Sequence, residues 1–266
     1  MDEPKFIIVN GKKKAVRKFE LYMMASCPTL LLIAKRRSGK SWVCRDILRY
    51  FKNVPCGLII AQSEQKADEP FYSEFFPDSF IYYEFNIKIL DKIFERQERI
   101  IEKSKTKAEQ GIIIDPRMIF LMDDCLADKN KWAKEPQYDN LMYNGRHYKI
   151  IYILTMQTPL GISPSLRNNF DYIFLLATDN QGDIKRLYDN YAGIFNNLNE
   201  FKTIFKQLTV KHQTMVLSNV ASANDDLSKK FFWYKATDTK VGTFGCEKFK
   251  RKHEQTYNPD WKKKIF

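Results

Sequence analysis

In the stretch Leu30-Leu-Leu-Ile-Ala34-Lys-Arg-Arg-Ser-Gly39-Lys40-Ser41, an apolar run passes directly into a glycine-lysine-serine loop. A continuous apolar run predicts a strand that is buried on both faces, as in a parallel sheet. The loop has the spacing of the phosphate-binding pattern G-x-x-x-x-G-K-[ST], with alanine in place of the first glycine. A helix is predicted to follow, from about Ser41 to Phe51. The sequence therefore predicts a strand, a phosphate-binding loop and a helix in succession.

The residue types in this loop suit a nucleotide. Backbone N–H groups and a helix N-terminus hold phosphate oxygens, and a glycine lets the backbone approach closely. Lys40 is predicted to reach the β- and γ-phosphates, and the Ser41 hydroxyl to hold Mg²⁺. Arg36 and Arg37 either lie over the phosphates or point to solvent. The alternative is an ordinary basic turn. The predicted nucleotide-binding residues are Arg37, Ser38, Gly39, Lys40, Ser41 and Trp42.

A second apolar strand, Met118-Ile-Phe-Leu-Met, ends in the paired acids Asp123 and Asp124. This is the form of a Walker B motif. Asp123 is predicted to bind Mg²⁺ through water, and Asp124 to orient or deprotonate the attacking water. The alternative is a pair of aspartates that caps the next helix. Because aspartate is one methylene shorter than glutamate, a water that Asp124 activates must lie closer to the backbone.

Polar residues also flank two further predicted strands. Gln157 follows the strand Ile150 to Leu154 and is predicted to hydrogen-bond the γ-phosphate or the water, unless it is a solvated loop glutamine. Arg146 precedes the same strand, at the edge opposite the phosphate site, so it suits a neighbouring subunit's nucleotide better than its own. Arg167, before the strand Tyr172 to Leu176, is the other arginine that could act in trans. The alternative for both is a surface or salt-bridged arginine.

Strands and helices are predicted to alternate along the 266-residue chain. Asn10-Gly11 predicts a hairpin turn after a strand at 5–9. Other strands are predicted at 57–61, 215–217 and 231–234, and helices near 86–110, 133–144 and 183–208, with weak signal after Lys235. Such alternation favours a parallel α/β sheet with both faces covered.

The composition excludes several classes of protein. Hydrophobic residues make up 44% of the chain, so it can bury a sizeable core, and disorder is excluded as the main interpretation. No apolar run approaches the ~20 residues that span a bilayer, and no apolar secretory segment follows Met1. We therefore expect a soluble protein with no membrane span that is not exported by that route. Five cysteines without a Cys-x-x-Cys pair predict free thiols in a reducing compartment.

The positive charge is concentrated at the two ends of the chain. The formal net charge is +12. Residues 1–18 hold six bases and two acids, residues 229–266 hold eleven bases and four acids, and the 210 residues between hold 27 bases and 26 acids. Basic ends suit a polyanion such as nucleic acid, because the binding of lysine and arginine side chains to its phosphates releases the counterions held there. The alternative is a solvated tail.

These motifs together resemble the genome-packaging ATPases of poxviruses and giant viruses, within the FtsK/HerA P-loop superfamily; virophages and related DNA viruses carry similar proteins. The resemblance rests on Leu31 to Ser41, Ile119 to Asp124, Asn144-Gly-Arg-His147, and the stretch from Thr155-Met-Gln157 to Arg167-Asn-Asn-Phe-Asp171. It covers roughly residues 25–220, the expected ATPase core. A basic N-terminal extension with a hairpin is expected at 1–24, and a terminal strand with a basic tail at 221–266.

The resemblance implies an α/β, additional-strand P-loop NTPase fold with a mainly parallel sheet flanked by helices. It implies hydrolysis of ATP with Mg²⁺ by a homo-oligomeric ring that acts on double-stranded DNA, with a capsid or portal-vertex protein as partner, in the virion or the host-cell cytoplasm. Lys40 and Ser41 match the phosphate and Mg²⁺ positions. Asp123 and Asp124 match the paired acids, Gln157 the sensor and Arg146 the arginine before the fourth strand.

Two other functions stay open from the sequence. A small-molecule P-loop kinase would need an acceptor pocket and an arginine-rich mobile lid, of which no convincing pattern is present. A non-catalytic protein that binds DNA or the capsid would carry a decayed phosphate loop, whereas Lys40, Ser41, Asp123 and Asp124 are all intact.

Overall fold

The computed structural model describes residues 4–65 and 71–258 of the chain and is an α/β fold. Within those residues, eight of the ten strands belong to one mainly parallel sheet, and the other two form a hairpin. The strands are β1 (Lys5–Val9), β2 (Lys12–Val16), β3 (Thr29–Ile33), β4 (Cys56–Ala61), β5 (Ile81–Tyr82), β6 (Met118–Asp123), β7 (Ile150–Met156), β8 (Tyr172–Leu175), β9 (Thr214–Ser218) and β10 (Phe231–Tyr234). The helices are α1 (Lys40–Tyr50), α2 (Lys88–Glu109), α3 (Pro136–Asn144), α4 (Pro164–Arg167), α5 (Gln181–Tyr191), α6 (Leu198–Leu208) and α7 (Glu247–Thr256).

The described residues form two compact units. The first contains residues 4–25, 30–44 and 155–238, and the second contains residues 26–29, 45–65, 71–154 and 239–258. No helix within residues 4–65 and 71–258 has both the length and the apolarity needed to cross a membrane.

In the first unit the strands follow the order β10-β9-β8-β3. β3 pairs with β8 in parallel, whereas β9 and β10 are antiparallel additions. Phe19 lies at the centre of an aromatic cluster, with its ring centroid 5.2 Å from that of Tyr172 and 5.6 Å from that of Phe232. The predicted hairpin is present, since β1 and β2 pair around Asn10 and Gly11, which both have positive φ.

The helix predicted over 183–208 is wrong in its continuity, because the structure has two helices there, α5 and α6. Residues 192–197 separate them. The Asn197 side chain accepts a hydrogen bond from Glu200 N at 2.9 Å and so caps the N-terminus of α6. Asn180 caps α5 in the same way through Asp183 N. Asparagine at these positions satisfies backbone donors that would otherwise lack partners, which starts a new helix.

In the second unit four parallel strands follow the order β7-β6-β4-β5. Helix α2 belongs to the same unit and buries the apolar face that its periodicity predicts. One member of that face is polar: Gln97 is completely buried, and its Nε2 donates to Pro116 O at 2.9 Å and to Tyr148 O at 2.7 Å. The buried amide therefore ties α2 to the segments that lead into β6 and β7.

The C-terminal segment is part of the core of the second unit, although its residue pattern predicts little structure there. Phe244 is completely buried, and its ring stacks on Phe76 with 4.7 Å between centroids. Phe249, in α7, stacks on Phe80 at 4.2 Å. The backbone N–H of Cys246 donates to Pro55 O at 3.0 Å. The composition of α7 is so highly charged that the sequence gives no apolar face to predict it, and Phe249 alone is buried on the helix.

Phe244→Ala is expected to destabilise the protein by about 3–5 kcal/mol, because it leaves a ring-sized cavity beside Phe76. Urea unfolding followed by circular dichroism measures this change. Phe6→Ala is the matched control, since Phe6 is 54% exposed on the hairpin and its loss should cost far less. Equal losses in the two variants would show that the C-terminal segment is not part of the core.

Candidate functional site

The loop between β3 and α1 has the backbone of an anion-binding turn. Arg37 and Gly39 have φ values of 61° and 96°, and the Ser38 hydroxyl donates to Lys35 O at 2.7 Å. Left-handed residues in such a loop direct backbone N–H groups into a shared concavity, which binds anions. The loop then enters α1 at Lys40. It therefore offers both convergent N–H groups and the positive end of a helix.

The two small residues of the loop have different roles. A Cβ on Gly39 would meet nothing nearer than His212 Nδ1 at 4.0 Å, so the positive φ rather than lack of space calls for glycine. Ala34 is not among the residues with positive φ, and its N–H donates to Met156 O at 2.9 Å. Alanine therefore fits where the motif usually has glycine.

Gln157 lies beside the loop, as its predicted role requires. Its side-chain oxygen accepts a hydrogen bond from Arg36 Nε at 3.3 Å. Lys35 is held elsewhere, since its Nζ is 2.8 Å from Asp179 Oδ2. The sequence left the direction of the arginines open. In the structure Arg36 and Arg37 are exposed, Lys40 and Ser41 are half-buried, and Trp42 is exposed on the first turn of α1.

The paired acids follow β6 in the second unit. Asp123 is buried at the carboxyl end of the strand, and its Oδ2 accepts a hydrogen bond from the Tyr72 hydroxyl at 3.0 Å. Asp124 has a left-handed backbone, with φ 55°, and is half-buried. It precedes the short 3-10 turn Cys125–Lys131, and its side chain makes no capping hydrogen bond to that turn. This geometry disfavours the capping interpretation for Asp124.

Sequence reasoning missed two residues around Asp123, namely Tyr72 and Glu64. The Glu64 carboxylate, just after β4, accepts hydrogen bonds from Phe71 N and Tyr72 N at 3.0 Å each. Burial raises the pKa of the Glu64 carboxyl above its usual value, the backbone N–H bonds oppose this shift, and the charge of Asp123 adds to it. Glu64 thus fixes the backbone of the tyrosine that contacts Asp123. The one sequence feature that could have indicated Glu64 is its place shortly after the buried strand β4.

The two arginines proposed for action in trans lie in different surroundings. Arg146 is exposed in the turn before β7, at the strand edge opposite Asp123. Arg167 is buried: its Nε and Nη2 donate to Ile162 O at 3.2 Å and 2.9 Å, and its Nη1 donates to Asn190 Oδ1. The Arg167 guanidinium therefore stabilises its own unit, whereas that of Arg146 faces outward.

Sequence comparison gives relatives among large DNA viruses. The chain is 45% identical over 253 residues to the uncharacterized protein L437 of Acanthamoeba polyphaga mimivirus, across 95% of this chain and 88% of L437. It is 30% identical to the uncharacterized protein 075L of Invertebrate iridescent virus 6, across 88% of each. The chain belongs to this family of viral proteins. No family model matches it.

Two solved structures share the fold of this chain. The genome packaging NTPase B204 of Sulfolobus turreted icosahedral virus 2, in complex with AMP, has a TM-score of 0.52 and 15% identity, across 80% of this chain and 100% of B204. The pCW3 conjugation coupling protein TcpA, with ATPγS, has a TM-score of 0.51 and 13% identity, across 96% and 71%. At such identities the likeness is one of fold. The expected α/β P-loop NTPase fold, and the resemblance to this group of ATPases, are confirmed at that level.

Tyr72→Phe is expected to lower the free energy of unfolding by about 1–3 kcal/mol, because Asp123 loses the hydroxyl donor of Tyr72 while staying buried. Urea unfolding measures the change. Tyr188→Phe removes a hydroxyl from a half-buried tyrosine of α5 and should cost under about 0.5 kcal/mol. Indistinguishable losses would remove Tyr72 from the set of residues that hold Asp123.

Proposed function

We propose that this chain is an ATPase motor that moves a double-stranded viral genome into a capsid. The observation that carries the proposal is the loop 34–41, a buried strand leading through left-handed Arg37 and Gly39 into a helix. The viral relatives and the fold shared with a genome packaging NTPase support it. The shared fold alone suggests NTP hydrolysis only by analogy. The motifs of this chain provide the residues to which we assign that chemistry.

The chemical groups of the loop suit a nucleoside triphosphate. Its convergent N–H groups and the start of α1 suit phosphate oxygens; Lys40 would hold the β- and γ-phosphates, and Ser41 would hold Mg²⁺. A bound nucleotide would supply the phosphoanhydride bond that is hydrolysed. Bound Mg²⁺ would supply positive charge that offsets the negative charge of the phosphate oxygens. Arg37, Ser38, Gly39 and Trp42 complete the set that we assign to nucleotide binding. The charge of Asp123 is assigned to Mg²⁺ and its bound water.

Asp124 and Gln157 are assigned to the attacking water. Asp124 accepts the proton of that water or orients it, and its left-handed backbone is the kind of strain that is common at functional sites. Arg36 holds the Gln157 carboxamide near the loop, so that Gln157 can form a hydrogen bond to a γ-phosphate when one is bound. Tyr72 is a positioning residue, because it acts only through Asp123.

DNA is the proposed polyanion for the basic ends of the chain. The described part of the basic tail includes Lys248, Lys250, Arg251 and Lys252 on α7, whereas Lys262 to Lys264 lie outside the described residues. Contacts with the phosphate backbone would be independent of sequence and sensitive to salt. The rival arrangement has loops of the ring gripping DNA while the tail binds a capsid or portal-vertex protein.

The rate of ATP hydrolysis with and without duplex DNA tests the function as a whole. Duplex DNA is expected to raise turnover, and the increase should fall steeply with salt. Free nucleosides and other small acceptors should not accept phosphate. Turnover that yields a phosphorylated small molecule would favour the kinase alternative, and no turnover at all would favour a non-catalytic protein.

Two substitutions separate nucleotide binding from hydrolysis. Lys40→Ala should abolish binding or turnover, because the motif directs this lysine at the β- and γ-phosphates. Asp124→Asn should leave ATP bound and nearly stop hydrolysis, since Ser41 and Asp123 remain. Lys35→Ala, in the same loop but paired with Asp179, is the control and should keep most activity. Wild-type turnover in Asp124→Asn would refute the role of that residue.

Arg146 is expected to act on a neighbouring subunit. Arg146→Ala should bind ATP normally and hydrolyse it up to about 10³-fold more slowly, the size of an arginine-finger effect. His147→Ala, in the same exposed turn, is the control. Mixing Arg146→Ala with Lys40→Ala subunits should restore activity, because an intact finger then meets an intact phosphate loop. If mixed assemblies form and never exceed the sum of the separate variants, the trans role is wrong.

A further inference from the structure

The second unit contains a cavity that is distinct from its acidic strand end. It has a volume of about 390 Å³ and lies between β4, α2 and α7. Its wall includes Cys56 and Met118, which begin β4 and β6, whereas Asp123 ends β6. Met118 and Asp123 are five steps apart along the extended strand, a distance of roughly 16 Å. The cavity is therefore at the opposite edge of the sheet from the carboxyl ends of the strands.

The cavity has an apolar wall and a basic rim. Leu58, Phe80, Ile89, Ile93 and Phe249 supply most of the wall. The charged residues that line it are all cations, two from each helix: Lys92 and Arg96 of α2, and Lys248 and Lys252 of α7. No aspartate or glutamate is among the described residues that line it. Two acids on the same helices pair outside the wall, Glu247 with Lys250 at 2.9 Å and Glu95 with Arg99 at 3.6 Å.

A hydrogen bond to the neighbouring Gln97 side chain fixes the position of Arg96. Its Nη1 donates to the side chain of Gln97, the buried amide that ties α2 to two neighbouring segments. On α7, residues 248 and 252 are four apart, so Lys248 and Lys252 share the helix face that borders the cavity. The positive charge at the rim therefore comes from two helices that border the same cavity.

The wall of the cavity is a face of β4 that the protein leaves partly uncovered. Cys56 and Leu58 are half-buried; at these positions β4 pairs with β6, whereas its pairing with β5 begins only at Ile59. The opposite face is tightly packed, since a Cβ on Gly57 would come within 3.0 Å of Phe76 Cζ and 3.3 Å of Phe244 Cε1. Burial raises the pKa of the Cys56 thiol to about 11, so this part of the wall is uncharged at neutral pH.

We propose that this cavity binds a small organic anion with an apolar body, of the fatty-acid type. The apolar tail lies along Leu58, Ile89 and Ile93, and the carboxylate lies at the rim among Lys248, Lys252 and Arg96. Apolar pockets of about 300–1,000 Å³ with a few convergent polar groups are typical of small-ligand sites. The absence of lining acids, within the described residues, disfavours a cationic ligand. This site is independent of the nucleotide site.

Isothermal titration calorimetry with dodecanoate, below its micelle concentration, tests the proposal. We expect saturable binding with one site per chain, and an affinity that falls with added salt. Dodecyltrimethylammonium has a similar tail and the opposite charge, so it should bind at least about tenfold more weakly. No saturable binding of dodecanoate, or equal binding of both amphiphiles, would overturn the proposal.

Paired variants with matched charge localise the site. Lys248→Gln with Lys252→Gln should weaken dodecanoate binding by about tenfold or more. Lys240→Gln with Arg251→Gln removes the same number of charges from exposed positions that do not line the cavity, and should change affinity by less than about twofold. Equal effects of the two pairs would mean that the anion binds to the general positive charge.

Protection of a native thiol gives a readout that needs no substitution. Cys246 is exposed at the start of α7 and lines the cavity. Saturating dodecanoate should slow its reaction with a maleimide several-fold, while dodecyltrimethylammonium should not. Unchanged labelling at saturation would place the anion elsewhere. Binding of an acidic peptide with aromatic residues, without binding of dodecanoate, would show that the cavity is a protein-docking site and would refute the small anion.

Discussion

In the loop between β3 and α1, the positive φ of Arg37 costs about 1–2 kcal/mol relative to a right-handed residue, and neighbouring contacts must hold it. The Ser38 hydroxyl closes the turn on Lys35 O, and Ala34 N bonds to Met156 O. Arg36 bonds to Gln157. The conformation of this loop therefore depends on the end of β7 and on Gln157, which follows it, as well as on its own residues. The same contacts bring Gln157 to the loop, so one set of bonds both shapes the loop and positions its polar neighbour.

A similar arrangement supports the acids after β6. Asp123 is 3% exposed, and a buried carboxylate is costly unless donors reach it. Tyr72 supplies one donor from a segment that Glu64 holds through backbone N–H groups. The segment after β4 thus orients the acid at the end of β6, its neighbouring strand. Changes far from any reacting atom, at Glu64 for example, would reach the proposed chemistry through this chain of hydrogen bonds.

Features with a local pattern could be predicted from the sequence, and features made by distant contacts could not. β3, β6 and β7 were recognisable because each is a continuous apolar run that ends in polar residues of known spacing. The Tyr72 contact to Asp123 joins residues 51 positions apart, and no periodicity encodes it. Gln97 seemed an interruption of an apolar face, yet its amide finds backbone partners there. The exposure of Arg146 and the burial of Arg167 likewise depend on turns that the sequence pattern does not distinguish.

The burial of Phe244 and Phe249 also constrains how the protein is made. These rings complete a core whose other members, such as Phe76 and Phe80, are synthesised more than 150 residues earlier. At about 5–20 residues per second, the ribosome needs on the order of ten seconds or more to add the intervening chain. During that time the second unit lacks two of its aromatic rings. Its nascent form exposes apolar surface that a chaperone can bind, and it can mature only after nearly the whole chain has left the ribosome.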